Sequence, residues 1–261
     1  AVIFEALRRD YLQLKRYDDV IALFQLSLAK RPNDLSLLAQ LGTFYMQKND
    51  EVRANEAWGR ALATDPNHEQ TYRIVASTMA ESRLFDKAIT VYQQARKACQ
   101  NSNLFSSEIA LFSSIVLNFT GATQEYINIV RQTPTMLSSI QSRMASYTNR
   151  PEGLAAATTE IEQAVKAEPN TLSLLQLQAW IYMEGKRFDR AYDVYKIIDA
   201  TISSGGRELY GFAEHALKEK FYVAAAKAFQ EVISSYPKFE LRPQAHFGLA
   251  RTLEDSVFAR D

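Results

Sequence analysis

Five of the seven prolines recur at a nearly constant interval along the 261 residues. Successive members of this set are 34, 68, 35 and 68 residues apart, so the interval is 34 or its double with one extra residue. They are Pro32, Pro66, Pro134, Pro169 and Pro237. A fixed period of this length indicates stacked copies of one supersecondary unit. Because such copies bury a core only between neighbours, the period argues against a compact single-core fold.

Alignment of the chain every 34 residues places side chains of similar size in the same column. The single extra residue falls between Tyr147 and Ala157. One column is large and apolar in all seven units: Phe24, Trp58, Tyr92, Tyr126, Ile161, Tyr195 and Phe229. Another is alanine in six of seven units: Val20, Ala54, Ala88, Ala122, Ala157, Ala191 and Ala225. This alternation predicts helices that approach closely at the small residues, with the large residues filling the space between them.

Each unit has the apolar spacing of two helices. In the second unit, one helical face carries residues three or four apart, namely Leu38, Leu41, Gly42 and Tyr45, and a second face carries Ala54, Trp58 and Ala61. Residues 48–51 form a polar turn between them. Each recurring proline is expected to end the second helix, because proline cannot continue it. Asn33-Asp34, Asn67 and Asn170-Thr171 are the candidate N-caps that follow.

These residues resemble the tetratricopeptide repeat, whose 34-residue pattern combines leucine-glycine, a tyrosine, an alanine, an aromatic residue and a proline. The best match is Leu41-Gly42, Tyr45, Ala54, Trp58 and Pro66. The resemblance implies an all-α, right-handed superhelical solenoid of about seven helix-turn-helix repeats plus a C-terminal extra helix. The expected repeats are 1–34, 35–68, 69–102, 103–136, 137–171, 172–205 and 206–239. Residues 240–261 are expected to form a partial eighth repeat or a capping helix.

The charge and hydropathy patterns limit the classes of partner. The chain has 30 Lys+Arg and 30 Asp+Glu, so its formal net charge is zero. Nucleic-acid-binding domains usually present a basic surface, so we expect no nucleic-acid partner. The longest apolar stretch, residues 109–119, is interrupted by polar residues. It is shorter than the ~20 residues of a spanning helix, so we expect no direct membrane insertion.

The start of the chain bears on its location. Residues 1–6 have neither an initiator Met nor a basic start. They therefore do not resemble a signal peptide, and the sequence predicts a fragment of a longer protein. We expect a soluble chain and favour the cytoplasm, with removal of an upstream signal as the alternative. The compartment itself stays unknown.

Residues that could carry catalysis are scattered. His68, His215 and His246 are far apart, and none belongs to a metal motif of the H-E-x-x-H kind. Cys99 is the single cysteine, which excludes an internal disulfide and a thiolate zinc cluster. The nine glycines form no phosphate-binding loop. We therefore expect no catalytic residue, no metal and no cofactor, and predict that the chain is not an enzyme.

By the resemblance, the first helices of the repeats line a concave groove. The groove implies a non-catalytic protein–protein interaction scaffold that binds a peptide segment or a partner protein. Trp180 and Tyr210 are the expected anchors, although Trp180 has an alternative role in packing adjacent first helices. The candidate partner-binding residues are Arg9, Thr43, Gln47, Arg73, Ser77, Ser107, Ser114, Gln141, Gln176, Trp180, Met183, Tyr210 and Glu214.

One subclass of the family binds the C-terminal carboxylate of heat-shock chaperones through lysine, asparagine and arginine side chains. The matching positions here are Glu5, Arg9, Gln40, Gln70 and Ile74. This set lacks the required charges, so a clamp for a chaperone tail is not expected.

Two alternatives to the scaffold remain open. Residues 101–150 contain only five charged side chains, and interface cores are depleted in charge. This segment, called the neutral zone below, could join two copies into a homo-oligomer, as could the open ends of the solenoid. The chain could also be the substrate- or partner-recruiting region of a larger enzyme or complex.

Overall fold

A computed structural model describes residues 2–259. Residue 1 and residues 260 and 261 lie outside the described residues, so the expectations for repeat 1–34 and segment 240–261 are assessed without them. Within 2–259 the chain has fifteen α-helices, one 3₁₀ turn and no strand. The chain divides into two compact units, Ala1–Asn118 and Phe119–Asp261. The division falls inside the expected repeat 103–136.

The first unit contains seven helices. They are α1 (Val2–Gln13), α2 (Tyr17–Lys30), α3 (Leu35–Gln47), α4 (Glu51–Leu62), α5 (Glu69–Glu81), α6 (Phe85–Ala98) and α7 (Ser106–Ile115). Each helix packs against the next, and α3 also packs against α5. Polar contacts join helices one repeat apart: Arg8 donates to Gln40 at 3.4 Å, and Lys87 donates to Asn55 at 3.1 Å. Helix pairs are therefore held against their neighbours in chain order.

The second unit contains the other eight. They are α8 (Phe119–Gln132), α9 (Leu137–Thr148), α10 (Pro151–Ala167), α11 (Leu172–Glu184), α12 (Phe188–Ile202), α13 (Arg207–Lys218), α14 (Tyr222–Ser235) and α15 (Arg242–Phe258). A 3₁₀ turn, Pro134–Met136, precedes α9. Consecutive helices pack, and so do α8 with α10 and α12 with α14. The predicted all-α array of helix pairs is confirmed, whereas the repeat count, the repeat boundaries and the superhelical course stay predictions.

The turns inside the helix pairs share one backbone geometry. Each has a residue with φ between 54° and 64° in the left-handed region: Lys15, Asn49, Arg83, Leu117, Lys186 and Lys220. The next residue donates its N–H to the carbonyl five positions earlier, as Arg16 does to Tyr11 at 2.8 Å. This hydrogen bond is the helix-ending bond of the Schellman motif. The turn before α10 differs, because Pro151 begins that helix where the sequence has its extra residue.

Each recurring proline comes shortly after the end of a second helix, as predicted. The helices α2, α8, α10 and α14 end two residues before a member of the proline set, whereas α4 ends at Leu62, four residues before Pro66. Asp34, a predicted cap, accepts a hydrogen bond from the N–H of Leu37 at 3.0 Å. The cap of α5 is His68 rather than Asn67, since its Nδ1 accepts from the N–H of Gln70 at 3.2 Å. His68 therefore has a structural role.

The large apolar column and the alanine-rich column both supply buried residues to the helix pairs. All seven residues of the alanine-rich column are fully buried. Gly42 lies directly against the indole of Trp58, and a Cβ there would overlap the ring. The Trp58 Nε1 donates to the carbonyl of Ala39 at 3.0 Å, so this buried side chain has its polar group satisfied. The packing role predicted for the Phe24 column is observed at Trp58.

The segment between α12 and α13 is fixed by one buried carboxylate. Asp199 accepts the N–H groups of Gly206 at 2.9 Å and Glu208 at 3.1 Å, and also a hydrogen bond from the Ser204 hydroxyl. Ser203 is the left-handed C-cap of α12. Burial and a hydrogen bond with Asp199 raise the pKa of Tyr236 to about 12. These bonds make the junction an ordered helix cap.

The last helix, α15, packs on α14 and α13 through small side chains. Ala245 and Thr252 are fully buried, and a Cβ on Gly248 would overlap the Phe229 ring. On the opposite face Phe247 is 72% exposed, because no later helix within the described residues covers it.

Candidate functional site

All thirteen candidate residues lie at least partly exposed. Those of the first unit lie on its first helices α1, α3, α5 and α7. Two contacts made by candidate residues join these helices side by side: Thr43 donates to the carbonyl of Thr78 at 3.5 Å, and Arg73 pairs with Glu108 at 2.7 Å. Arg9 and Gln47 are exposed on α1 and α3. The structure therefore brings Thr43 and Arg73 onto the contacts between neighbouring first helices.

Arg73 and Ser77 also interact with aromatic side chains of the chain itself. The Arg73 guanidinium lies 4.7 Å from the centre of the Phe105 ring, in addition to its ion pair with Glu108. Burial raises the pKa of Tyr92, and a hydrogen bond with Ser77 opposes that rise. A ligand that used Arg73 or Ser77 would have to compete with these contacts.

In the neutral zone, α7 carries one charged side chain, Glu108, whose carboxylate is paired with Arg73. Ser107 is exposed and Ser114 is half-buried, with its hydroxyl donating to the carbonyl of Leu111 at 2.7 Å. Leu111 and Ile115, one helical turn apart, are 45% and 46% exposed. This face of α7 therefore combines polar and apolar groups with the carboxylate of Glu108, which is three residues before Leu111 and is paired with Arg73.

In the second unit, α11 carries three candidates on one face. Gln176, Trp180 and Met183 are spaced four and three residues apart, and each is half-buried. Unlike Trp58, Trp180 has no hydrogen-bond partner for its indole N–H among residues 2–259, and its ring contacts no other aromatic ring there. Gln141 is half-buried on α9, which packs against α11.

Tyr210 on α13 is partly used in packing. Its ring centre lies 5.9 Å from that of Phe229 and 5.6 Å from that of Phe239. Burial raises the pKa of Tyr210, and the nearby carboxylate of Glu214 adds to the rise. Glu214 itself is exposed. Tyr210 therefore offers one edge to a ligand, while the rest of its ring contacts the chain.

The sequence analysis missed a cavity of about 450 Å³ in the second unit, lined by the two turns at 186–189 and 220–224 and by the end of α15. None of the thirteen candidates lines it. A signal was present: Lys186 and Lys220 are 34 residues apart, and each comes shortly before an aromatic residue. No sequence pattern indicated that the end of α15 would also line this cavity.

Residues 2–259 contain neither a metal-binding cluster nor a membrane-spanning helix. Across the described part of the chain, no group of three or more His, Cys, Asp or Glu residues could hold a metal ion. The Cys99 thiol donates to the carbonyl of Asn67 at 3.4 Å. None of the helices described is both long enough and apolar enough to cross a bilayer.

No protein-family model matches the sequence, and no curated protein matches it. Solved structures do match. One is described as "Structure of Naa15/Naa10 bound to HypK-THB": it shares 17% identity with a TM-score of 0.41, and the match covers 96% of this chain and 38% of that one. The chain thus spans well under half the length of that protein.

Two further matches are shorter proteins. A tetratricopeptide repeat protein from Parabacteroides merdae shares 15% identity with a TM-score of 0.39, over 97% of this chain and all of that one. MamA shares 19% identity with a TM-score of 0.36, over 62% of this chain and 97% of that one. The matched structures thus include a member of the tetratricopeptide repeat proteins, the family that the sequence resembles.

Proposed function

We propose that the chain is a non-catalytic protein–protein interaction scaffold, which binds a peptide segment or partner protein on the exposed faces of its first helices. The observation that carries the proposal is Trp180. Its large apolar side chain is partly exposed, and its N–H has no partner within residues 2–259. Tryptophan in such a setting is a frequent binding hot spot, because the ring supplies area and the N–H supplies direction.

The neighbours of Trp180 suit a peptide ligand. Met183 adds adaptable apolar surface one turn away, and the amides of Gln176 and Gln141 can each donate and accept hydrogen bonds with a peptide backbone. Tyr210 and Glu214 extend the proposed face to α13. The first-unit candidates complete the proposal: Arg9, Thr43, Gln47, Arg73, Ser77, Ser107 and Ser114.

The test is a quantitative pull-down with immobilised wild-type chain and the Trp180→Ala variant. We expect the recovered amount of at least one partner to be lower by about ten-fold or more with the variant than with the wild type. This is the size of effect typical of a hot-spot residue. Phe247→Ala is the matched control, because Phe247 is an exposed aromatic residue on α15 outside the proposed face. Circular dichroism verifies equal helicity. Equal recovery of every partner with all three chains contradicts the proposal.

A second candidate function is self-association through α7. Its support is the exposure of Leu111 and Ile115 on a helix whose one carboxylate, that of Glu108, is already paired with Arg73. Leu111→Glu should then convert an oligomer to a monomer in light scattering, whereas Val52→Glu, at a more exposed apolar site on α4, should not. A wild-type chain that is monomeric at high concentration rules this candidate out. The chain could serve as the recruiting region of a larger enzyme or complex with either function, the interaction scaffold or self-association.

A further inference from the structure

We propose that the cavity lined by 186–189, 220–224 and the end of α15 is a second binding site, for a peptide segment whose large apolar side chain is flanked by carboxylates. The cavity has a volume of about 450 Å³, within the usual range for ligand pockets. It is called the turn-edge cavity below.

The turn-edge cavity has an aromatic wall. The rings of Phe188 and Phe221 stack with centres 4.0 Å apart and an interplanar angle of 14°. Val223 also lines the cavity and is 83% exposed. Phe188 is already buried at 2% exposed, whereas Phe221 is partly exposed. An apolar ligand side chain would remove the exposed surface of Val223 and Phe221 from water, which is the main favourable term in binding.

Lysines surround that wall. Lys186, Lys220 and Lys227 line the cavity together with a single carboxylate, that of Asp189. Lys186 pairs with Glu219 at 2.9 Å, and this hydrogen bond lowers the pKa of Glu219. Lys220 and Lys227 form no ion pair with any residue of the described chain. The lining therefore has three lysines against one carboxylate, and two of these lysines have no carboxylate within ion-pair distance among the described residues.

The lysine positions follow from the fold. Lys186 and Lys220 are the left-handed residues of consecutive turns, so the repeat places them at the same edge. The Lys227 ammonium lies 5.0 Å from the centre of the Tyr192 ring, where the ring face attracts it. The cations thus stand around an apolar cavity, and a ligand with an apolar centre and acidic flanks complements both features.

A peptide fits these observations better than a phosphate-rich partner. Binders of nucleic acids and lipid surfaces rely on an extended basic patch, whereas this chain has no net charge and the cations here surround a side-chain-sized cavity. The proposal is independent of the function proposed above, because no candidate residue of the first-helix faces lines this cavity.

The experiment is selection of random heptapeptides displayed on phage. Three chains are immobilised, all carrying Trp180→Ala so that ligands of the first-helix face are reduced. One has no further change, one carries Lys220→Glu and Lys227→Glu, and the matched control carries Lys97→Glu and Lys166→Glu. All four lysines are exposed and the two double variants have equal net charge, but Lys97 and Lys166 do not line the cavity.

We expect peptides combining Asp or Glu with Trp, Phe or Leu to be enriched on the first chain and on the control. Enrichment should fall about ten-fold on the Lys220→Glu, Lys227→Glu chain, as expected when charge complementarity is inverted. A synthetic copy of the most enriched peptide should lose about ten-fold in affinity by calorimetry when its large apolar residue is replaced by alanine.

Three results overturn the proposal: no enriched peptide, enriched peptides without acidic residues, or equal enrichment on both double variants. Binding to phosphatidylserine–phosphatidylcholine vesicles that disappears with Lys220→Glu and Lys227→Glu, without any enriched peptide, would assign the cavity to a lipid surface instead. The pull-down compares the wild-type chain with Trp180→Ala, whereas all chains in the peptide selection carry Trp180→Ala. Either proposal can therefore be contradicted while the other stands.

Discussion

Gly42 shows how a single residue sets the distance between two helices. A Cβ at this position would overlap the Trp58 indole, whereas a Cβ on Gly59, in the interior of α4, would meet nothing within 4 Å. Both glycines lie inside helices, so both alanine variants gain about 0.5–1 kcal/mol of helix propensity. We expect Gly59→Ala to raise the free energy of unfolding. The free energy of unfolding of Gly42→Ala should be about 1–3 kcal/mol lower than that of Gly59→Ala, which is the cost of overpacking a core.

Urea unfolding followed by circular dichroism measures both changes. Gly59→Ala is the matched control, since it makes the same chemical change in the adjacent helix. A Gly42→Ala chain as stable as Gly59→Ala would mean that the α3–α4 pair can separate without loss, contrary to the packing described here.

The two tryptophans illustrate what the sequence predicts at the residue scale. Trp58 belongs to a column that is large in every unit, and it is buried as that column predicts. Trp180 lies outside the packing columns and is partly exposed. The period therefore separates a fully buried tryptophan from a partly exposed one. It does not reveal the hydrogen bond from Trp58 to Ala39, because that bond depends on how closely α3 and α4 approach.

Between elements, Asp199 decides how α12 is connected to α13. Its carboxylate is 1% exposed and accepts two backbone N–H groups and one hydroxyl. Asp199→Ala would leave those buried donors without an acceptor, so we expect a loss of about 1.5–3 kcal/mol in the free energy of unfolding. Asp193→Ala, on the exposed side of the same helix, should change it by less than about 0.5 kcal/mol.

Thermal unfolding of the two variants beside the wild type provides this comparison. If Asp199→Ala and Asp193→Ala unfold at the same temperature, the segment 203–206 does not depend on the carboxylate, and its order must come from Ser203 and Gly206 alone.

The elements were more predictable than the surfaces between them. Helix pairs follow from the 34-residue period and from the recurring prolines, as at Pro32 after α2. The turn-edge cavity could not be predicted, because it requires the two turns with Lys186 and Lys220 and the end of α15 to meet in space. The exposed Phe247 had no signal either, since its exposure depends on what packs against α15.

At the scale of the whole molecule, each helix is stabilised mainly by helices that are close to it in the chain. Among residues 2–259, the helices of each unit pack mainly against helices that are near them in the chain. Repeat arrays of this kind behave approximately as a sum of repeat stabilities and nearest-neighbour terms. Long arrays can therefore lose the all-or-none unfolding of small domains. A substitution in one unit should consequently weaken that unit more than the rest of the chain.

The chain's two tryptophans allow this to be tested, since Trp58 lies in the unit Ala1–Asn118 and Trp180 in the unit Phe119–Asp261. In a Trp180→Phe background, fluorescence in urea reports only on the surroundings of Trp58, while circular dichroism at about 222 nm reports on all helices. We expect Gly42→Ala to lower the fluorescence midpoint more than the dichroism midpoint, because the strain lies at the α3–α4 contact and coupling extends only to neighbouring repeats. Equal shifts of the two midpoints would instead show that both units unfold in one cooperative step.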